Sequence, residues 1–444
     1  MNGGPTRRRV NRPSARRRGD AMESDRESFG VRFLRGLRSW CRLVHMVRSA
    51  VRGSPAIGDA NAIVTPASYE RLLSSLEPSD RVLPLTRFER PAPGEANAIE
   101  RMARRAASTV IEIYCEGRRT DQNIKAMRDQ HAKGHGCLRA SFIVRDDVPP
   151  EFALGVFRPG ARYAAIVRFS NAQGTRNSDR VPDGRGMAIK LLNVPGPSIL
   201  PCTPKASPEQ PPSAEQDFLL TNYPIFFGKN VNDYTEFLEL IALPQDNWSE
   251  RLKRLTRLFF FFVPRRLRQL WIFIATAVQR VDSPLRAVYH SMTPYLLGGD
   301  KVVRYVAAPL QTTRARGTGE WQTPGDDFLR RALVAELDSG KHSHGDKAIF
   351  DFSFQLRDRA TPDDVEDASR PWRGAKDVRV SLARIEISLQ NFETASRWYL
   401  GENLSFSPWH CLPEHRPLGG LNRMRLAVYR ASLQVRHRLN MLPK

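Results

Sequence analysis

Cysteine is scarce and scattered. The five thiols, Cys41, Cys115, Cys137, Cys202 and Cys411, form no CxxC pair, which excludes a disulfide framework and a paired-cysteine zinc site and makes a reducing, cytoplasmic setting the simplest expectation. Long apolar runs are also missing. The best stretch for a bilayer span, residues 258–278, is broken by Pro264, Arg265, Arg266 and Arg268, and the pieces left over are too short for a hydrocarbon core of about 30 Å. The arginine-rich start lacks the apolar segment and small-residue cleavage site of a secretory signal. Internal repeats are absent, so solenoids and propellers are not expected.

What is present suits a globular protein. The chain has 444 residues, 41% hydrophobic and 26% charged, enough for one large core or two or three domains. Thirty-two prolines and 29 glycines without a period point to many turns and a substantial β component. The formal net charge is +22, and its location is more informative than its size. Residues 1–52 hold 14 arginines against four acids, and residues 251–280 hold eight Arg or Lys against none. The other 362 residues therefore carry about +4, that is 22 less 10 less 8. A nucleic-acid grip spreads cations over a folded face, so nucleic acid is not the expected partner.

Residues 1–28 read as a basic arm without apolar periodicity. From Val31, Leu34, Leu37, Cys41, Val44 and Val51 recur at helical spacing, with Arg35, Arg38, Arg42 and Arg52 one position behind. This is a basic amphipathic helix, which either lies on an anionic membrane surface or packs on its own domain. Residues 53–66 read as a linker and 97–116 as a helix. Strand-like segments follow at 141–144, 163–169, 187–192, 217–221, 302–307, 348–357 and 378–389, with a Pro- and Ser-rich loop at 195–214. Helices are expected at 231–242, across 247–281, and from 422 to the end.

Several short motifs stand among these elements. Arg128-Asp129-Gln130-His131-Ala132-Lys133-Gly134 leads into a strand. Val167-Arg168-Phe169-Ser170-Asn171 comes next, followed by Asp183-Gly184-Arg185-Gly186-Met187, Leu220-Thr221-Asn222-Tyr223-Pro224-Ile225-Phe226-Phe227, and near the end Arg425-Leu426-Ala427-Val428-Tyr429 with Arg436. In that order and with those gaps the set resembles the haem-catalase superfamily, over residues 121–439.

That resemblance implies an α+β fold, a catalase-like antiparallel β-barrel enclosing haem b with helices around it. It divides the chain into a basic arm and amphipathic helix (1–52), a linker with N-terminal helices (53–120) and a haem-binding core (121–444) carrying a basic helical insertion at 247–281. It makes Tyr429 the iron ligand and His131 the distal base that takes a proton from peroxide and returns it to the far oxygen. Asn222 would hydrogen-bond peroxide, and Ser170 would orient the His131 ring. Arg425 would stabilise the phenolate, while Arg128, Arg168 and Arg436 would meet the propionates. Phe226, Phe227 and Phe169 would keep the pocket apolar. The residue types make chemical sense apart from the likeness. Holding a phenol ionised at neutral pH needs roughly 4 kcal/mol of help, which a metal and a cation four residues earlier on the same helical face can supply.

The chain also departs from the pattern. Gln130 stands where catalases carry a small apolar residue, as a polar residue does in the related allene oxide synthases. Thr221 replaces an Asn, and the segment after Tyr429 lacks the usual Asp-Thr. The chain ends soon afterwards, so the catalase C-terminal helical domain and its NADPH site are not expected. Three activities follow from the likeness: catalase or peroxidase action on hydrogen peroxide or organic hydroperoxides, a lipid hydroperoxide isomerase of allene oxide synthase type, or a haem-binding module with little turnover. The oligomeric state stays open. Residues 29–52 and 251–280 are the segments expected to touch an anionic membrane peripherally, and for the second the alternative is burial against the barrel with arginines snorkelling outward.

Overall fold

The computed structural model describes residues 84–440, except 122–123, 201–212, 242–247, 264, 312–324, 339–345 and 373–378. The basic arm, its amphipathic helix, the 53–66 linker and most of the 195–214 loop lie outside the described residues.

Nine strands run Gly134–Val144 (β1), Arg162–Asn171 (β2), Arg185–Pro195 (β3), Ser213–Thr221 (β4), Tyr289–His290 (β5), Tyr295–Leu297 (β6), Lys301–Gln311 (β7), Lys347–Arg357 (β8) and Arg379–Ser388 (β9). All their pairings are antiparallel. The order β5-β4-β3-β2-β1-β9-β8-β7 is closed by a β5–β7 pairing, giving an eight-stranded barrel on which β6 forms a short hairpin with β7. Closure removes the sheet edges that would otherwise invite pairing with other chains. The expected strands are all present and mostly longer than their apolar stretches, because ladder bonds continue past the last buried side chain.

Alternation builds the interior. Ala348, Phe350, Phe352 and Phe354 of β8 point inward, as do Tyr163, Ala165, Val167 and Phe169 of β2 and Met187, Ile189 and Leu191 of β3, the period of two that a pleated strand imposes. The lumen is filled by rings: Phe218 lies 4.8 Å from Phe352 and 4.9 Å from Tyr305 between centroids. An eight-stranded barrel has just enough room for its own side chains, so chemistry must sit at a rim or outside.

Among the described residues, eight helices lie outside: Glu95–Thr120 (α1), Val231–Ile241 (α2), Trp248–Phe262 (α3), Leu267–Ala277 (α4), Phe328–Leu337 (α5), Pro362–Glu366 (α6), Ala395–Asn403 (α7) and Gly420–Asn440 (α8). The long α1 packs on α8 through Ala107, Val110, Ile111 and Cys115 against Ala431 and Val435. Arg423 fastens the start of α8 by ion pairs to Glu89, Glu95 and Glu366. Within the expected 247–281 stretch, α3 and α4 form a helical hairpin. It is anchored by Phe261 and Phe262 on Phe237 of α2.

Candidate active site at one rim of the barrel

Cross-strand register collects the motifs. Gly134 pairs with Ser170, Ser170 with Gly186, Gly186 with Thr221, and Thr221 with His290. This single row across five strands puts the end of the Arg-Phe-Ser segment, the start of the Arg-Gly-Met segment and the Thr-Asn turn side by side at one rim. His131 lies just before β1 at the same rim, at φ 56, a left-handed conformation that costs a non-glycine residue energy and persists only when its surroundings enforce it. They do so here: the His131 and Ala132 N–H groups donate to the Ala172 and Gln173 carbonyls at 3.1 and 3.2 Å.

The His131 ring is fixed at one nitrogen. Nδ1 lies 2.9 Å from the Asn171 carbonyl and 3.0 Å from Ser170 Oγ. A carbonyl only accepts, so Nδ1 carries the proton and Nε2 keeps its lone pair. Burial, reinforced by the Arg168 cation, pushes the imidazole down to about 4, so it is neutral at neutral pH. Gly186 makes room for it, since a Cβ there would stand 2.7 Å from Nδ1 and 3.0 Å from Ser170 Oγ.

Beneath this lies a second network of buried polar side chains. The Asn171 side-chain oxygen Oδ1 accepts from Arg185 and, at 2.8 Å, from His135 Nε2, while its side-chain amide donates to Asp179 at 3.2 Å. Lys133 bridges to Asp179 at 2.8 Å. Asp183 accepts from the Gln173 N–H, and burial raises its carboxyl to about 6. His135 is thus a structural histidine, and Asp183 and Arg185 brace the chain around His131.

On α8, Arg425 Nε and Nη2 donate to the Tyr429 hydroxyl at 3.3 and 3.2 Å, the four-residue helical spacing realised. Arg425 is also among the cations that lower His131. Phe226 and Tyr429 flank one apolar cluster with Ile99 and Tyr234. Phe227 instead packs on Phe237 and Phe273, and Phe169 belongs to the barrel interior beside Tyr289.

Arg128, Arg168 and Arg436 converge on one carboxylate. Glu402 of α7 lies 3.8 Å from Arg128 and 3.6 Å from Arg168, and its charge also acts on Arg436. Burial first, then the mutual repulsion of the guanidinium groups, pulls Arg128 well below the usual arginine range and Arg436 down to about 10. The Arg436 Nε is buried without a hydrogen-bond partner. Arg176 approaches Glu402 as well, at 3.8 Å, so the cations here outnumber the acid.

Asn222 is buried at the same rim. Its side-chain oxygen accepts from the Arg185 N–H at 2.7 Å, and its amide donates to Gln279 at 2.9 Å. Gln279, just past α4, meets Asn222, and Glu402 meets Arg128 and Arg168, although neither acid nor amide stands in a recognisable motif. Gln130 is exposed.

These residues suit a haem. A partnerless buried guanidinium nitrogen within an arginine trio matches a group bearing carboxylates, a phenol accepting two guanidinium N–H bonds matches an anionic ligand, and the space spared by Gly186 keeps the imidazole in place.

The same burial sets an acid limit on stability. Burial lowers His131, His135 and His290 to about 4 and His415 to about 3. Unfolded, these rings take protons near 6.5. Between that pH and about 4 the unfolded chain binds more protons, so stability falls with falling pH. Asp183, raised to about 6, acts oppositely, as do Glu112, Asp129, Glu336 and Glu366, which burial also raises, and they offset part of the effect of the four rings. Thermal melting is expected to drop steadily as pH is lowered from 6.5 to 4, and a flat profile would show that the rings are charged in the folded protein.

No family model and no curated protein matches the chain. Solved structures do. A fungal catalase is similar with a TM-score of 0.53 and 16% identity, over 75% of this chain and 63% of its own. Catalase A from Saccharomyces cerevisiae (TM-score 0.51, 16% identity) covers 74% and 66%, and a bacterial catalase (TM-score 0.51, 16% identity) covers 74% and 61%. The chain therefore spans somewhat under two thirds of these catalases. Its fold is catalase-like.

Proposed function

We propose that the chain binds haem b and reduces peroxides, with hydrogen peroxide or an organic hydroperoxide as substrate. The observation that supports this reading is the neutral His131, held at Nδ1 by the Asn171 carbonyl, with the cation of the Arg425–Tyr429 pair close enough to act on its ring. Tyr429 would hold the iron through its phenol oxygen, and Arg425 would stabilise the charge on that oxygen. Arg128, Arg168 and Arg436 would supply the positive charge that balances the propionates. Bound haem would supply redox-active iron.

The protein's part is proton movement and orientation. His131 Nε2 takes the proton from one peroxide oxygen and delivers it to the other, which leaves as water or alcohol. Ser170 and the Asn171 carbonyl keep the ring in the tautomer this requires. Asn222 has a second amide N–H, beyond the one given to Gln279, with which to orient the peroxide. Phe226 keeps the phenolate side apolar.

Titration of the purified protein with hemin tests the proposal. A one-to-one complex with a high-spin ferric phenolate spectrum is expected, together with oxygen evolution from hydrogen peroxide. Tyr429→Phe should lose that spectrum. Hemin left unbound, or identical spectra for the two proteins, would reject it. An organic hydroperoxide is favoured as substrate by the apolar hairpin, whose α4 end adjoins Asn222 through Gln279. Consumption of a fatty-acid hydroperoxide without oxygen evolution from hydrogen peroxide would support that substrate, and an epoxide product would mark isomerase chemistry.

A further inference from the structure

The α3–α4 hairpin presents two unlike faces. Inward, Phe261, Phe262 and Ile272 are buried, and Phe237, Phe227 and Phe273 complete an aromatic cluster around them. Outward, Leu252, Phe259, Phe260, Leu267 and Trp271 stand in solvent, with Phe260 at 69% and Trp271 at 65% of full exposure. Nine large apolar side chains are strongly exposed among the described residues, and five belong to this one element. Leu252 and Phe259 are two helical turns apart and Leu267 and Trp271 one, so each helix shows a coherent apolar face. The Phe259 and Phe260 rings touch at 5.5 Å between centroids. An apolar concentration of this kind on a water-facing surface marks a docking site.

Its charge says what docks. Residues 251–280 hold eight cations and no acid. Arg266 is matched by Asp233 and Glu236 of α2 and Arg268 donates to the Ser369 carbonyl, whereas Arg257 and Arg265 are exposed on the same hairpin. A second copy of the chain would bring these cations against themselves, because a two-fold contact uses the same patch twice. Nucleic acid would have no use for Leu252 and Leu267, which cannot stack on bases. An anionic bilayer satisfies both features at once, with headgroups for the arginines and the acyl boundary for the rings. No helix among the described residues is long and apolar enough to cross a membrane, so the hairpin lies on the surface.

We infer that the α3–α4 hairpin docks the protein onto anionic lipid bilayers, inserting Phe259, Phe260 and Trp271 to the depth of the acyl boundary. This holds whatever chemistry the rim performs. The arginine-rich residues 1–52 would also attract anionic lipid, so the test reads what only the hairpin can move. Full-length protein is mixed with vesicles of equal parts phosphatidylcholine and phosphatidylglycerol, with acyl chains brominated or not. Tryptophan quenching by brominated lipid is expected in the wild type and should fall in Trp271→Phe. Co-sedimentation at high salt, where surface charge is screened, should weaken about tenfold or more in Phe259→Ser/Phe260→Ser, which removes two apolar anchors. Both residues are exposed, so an unchanged melting temperature verifies the fold. Arg257→Glu/Arg265→Glu should weaken binding at low salt. Equal quenching and sedimentation of wild type and variants would overturn the inference. So would a dimer or an oligonucleotide complex that the phenylalanine substitutions abolish while vesicle binding stays intact.

Discussion

His131→Asn is expected to leave hemin bound through Tyr429 while peroxide turnover falls by about 10²–10⁴-fold, the usual worth of a positioned acid–base group. Asn is the replacement of choice because position 131 has φ 56, and Asn tolerates the left-handed region better than most residues. The fold around the site should therefore survive, and the backbone bonds to Ala172 and Gln173 do not involve the side chain. The measurement is turnover per bound haem, with haem quantified separately. Wild-type turnover would remove His131 from the mechanism, whereas loss of hemin as well would mean the ring has a structural role. Ser170→Ala should cost less, since the Asn171 carbonyl at 2.9 Å still fixes Nδ1.

Lys190→Met should be the most damaging single change to stability away from the rim. Lys190 of β3 is 1% exposed and pairs across the ladder with Asp217 of β4. Its ammonium group lies 2.9 Å from the Asp217 carboxylate and also binds Glu215. Asp217 further accepts from His410 Nδ1 and the Ser407 N–H, each at 2.9 Å, tying the 407–410 loop to the barrel. Glu215, Asp217 and His410 could in principle ligate a metal, but Lys190 already supplies the cation. Removing one partner of a buried ion pair strands the other, at a cost of about 3–5 kcal/mol. The urea midpoint should fall accordingly with little change in slope. Adding Asp217→Asn should recover part of the loss, because contacting residues are not additive. A loss under about 1 kcal/mol, the scale of an exposed pair, would show that water reaches the ammonium group.

The helical hairpin shows what sequence reading could and could not resolve. The sequence left open whether it touches lipid or packs on the barrel. In the structure Phe261 and Phe262 are buried while Phe259 and Phe260 are exposed, and four consecutive phenylalanines cannot announce which pair turns inward. That depends on where α2 places Phe237. The α7 helix carried no clear apolar stripe, α5 offered only the short one of Leu329, Ala332, Leu333 and Leu337, and β5 and β6, of two and three residues, were too short to recognise as strands. Each is held by the barrel it packs on or pairs with, because tertiary contact overrides weak local preference.

Local chemistry was decided by the sequence alone. The two-residue alternation of β8, the four-residue interval from Arg425 to Tyr429 and the concentration of cations in residues 251–280 are properties of neighbouring positions, which the pleat and the helical turn convert directly into geometry. Gln279 reaches Asn222 from 57 positions away, and Glu402 meets Arg128 and Arg168 from more than two hundred. Those meetings, and the row running from Gly134 to His290, were decided only when the strands chose their register and the barrel closed. Register is selected by burying a whole face at once, and no single residue's neighbourhood contains that information.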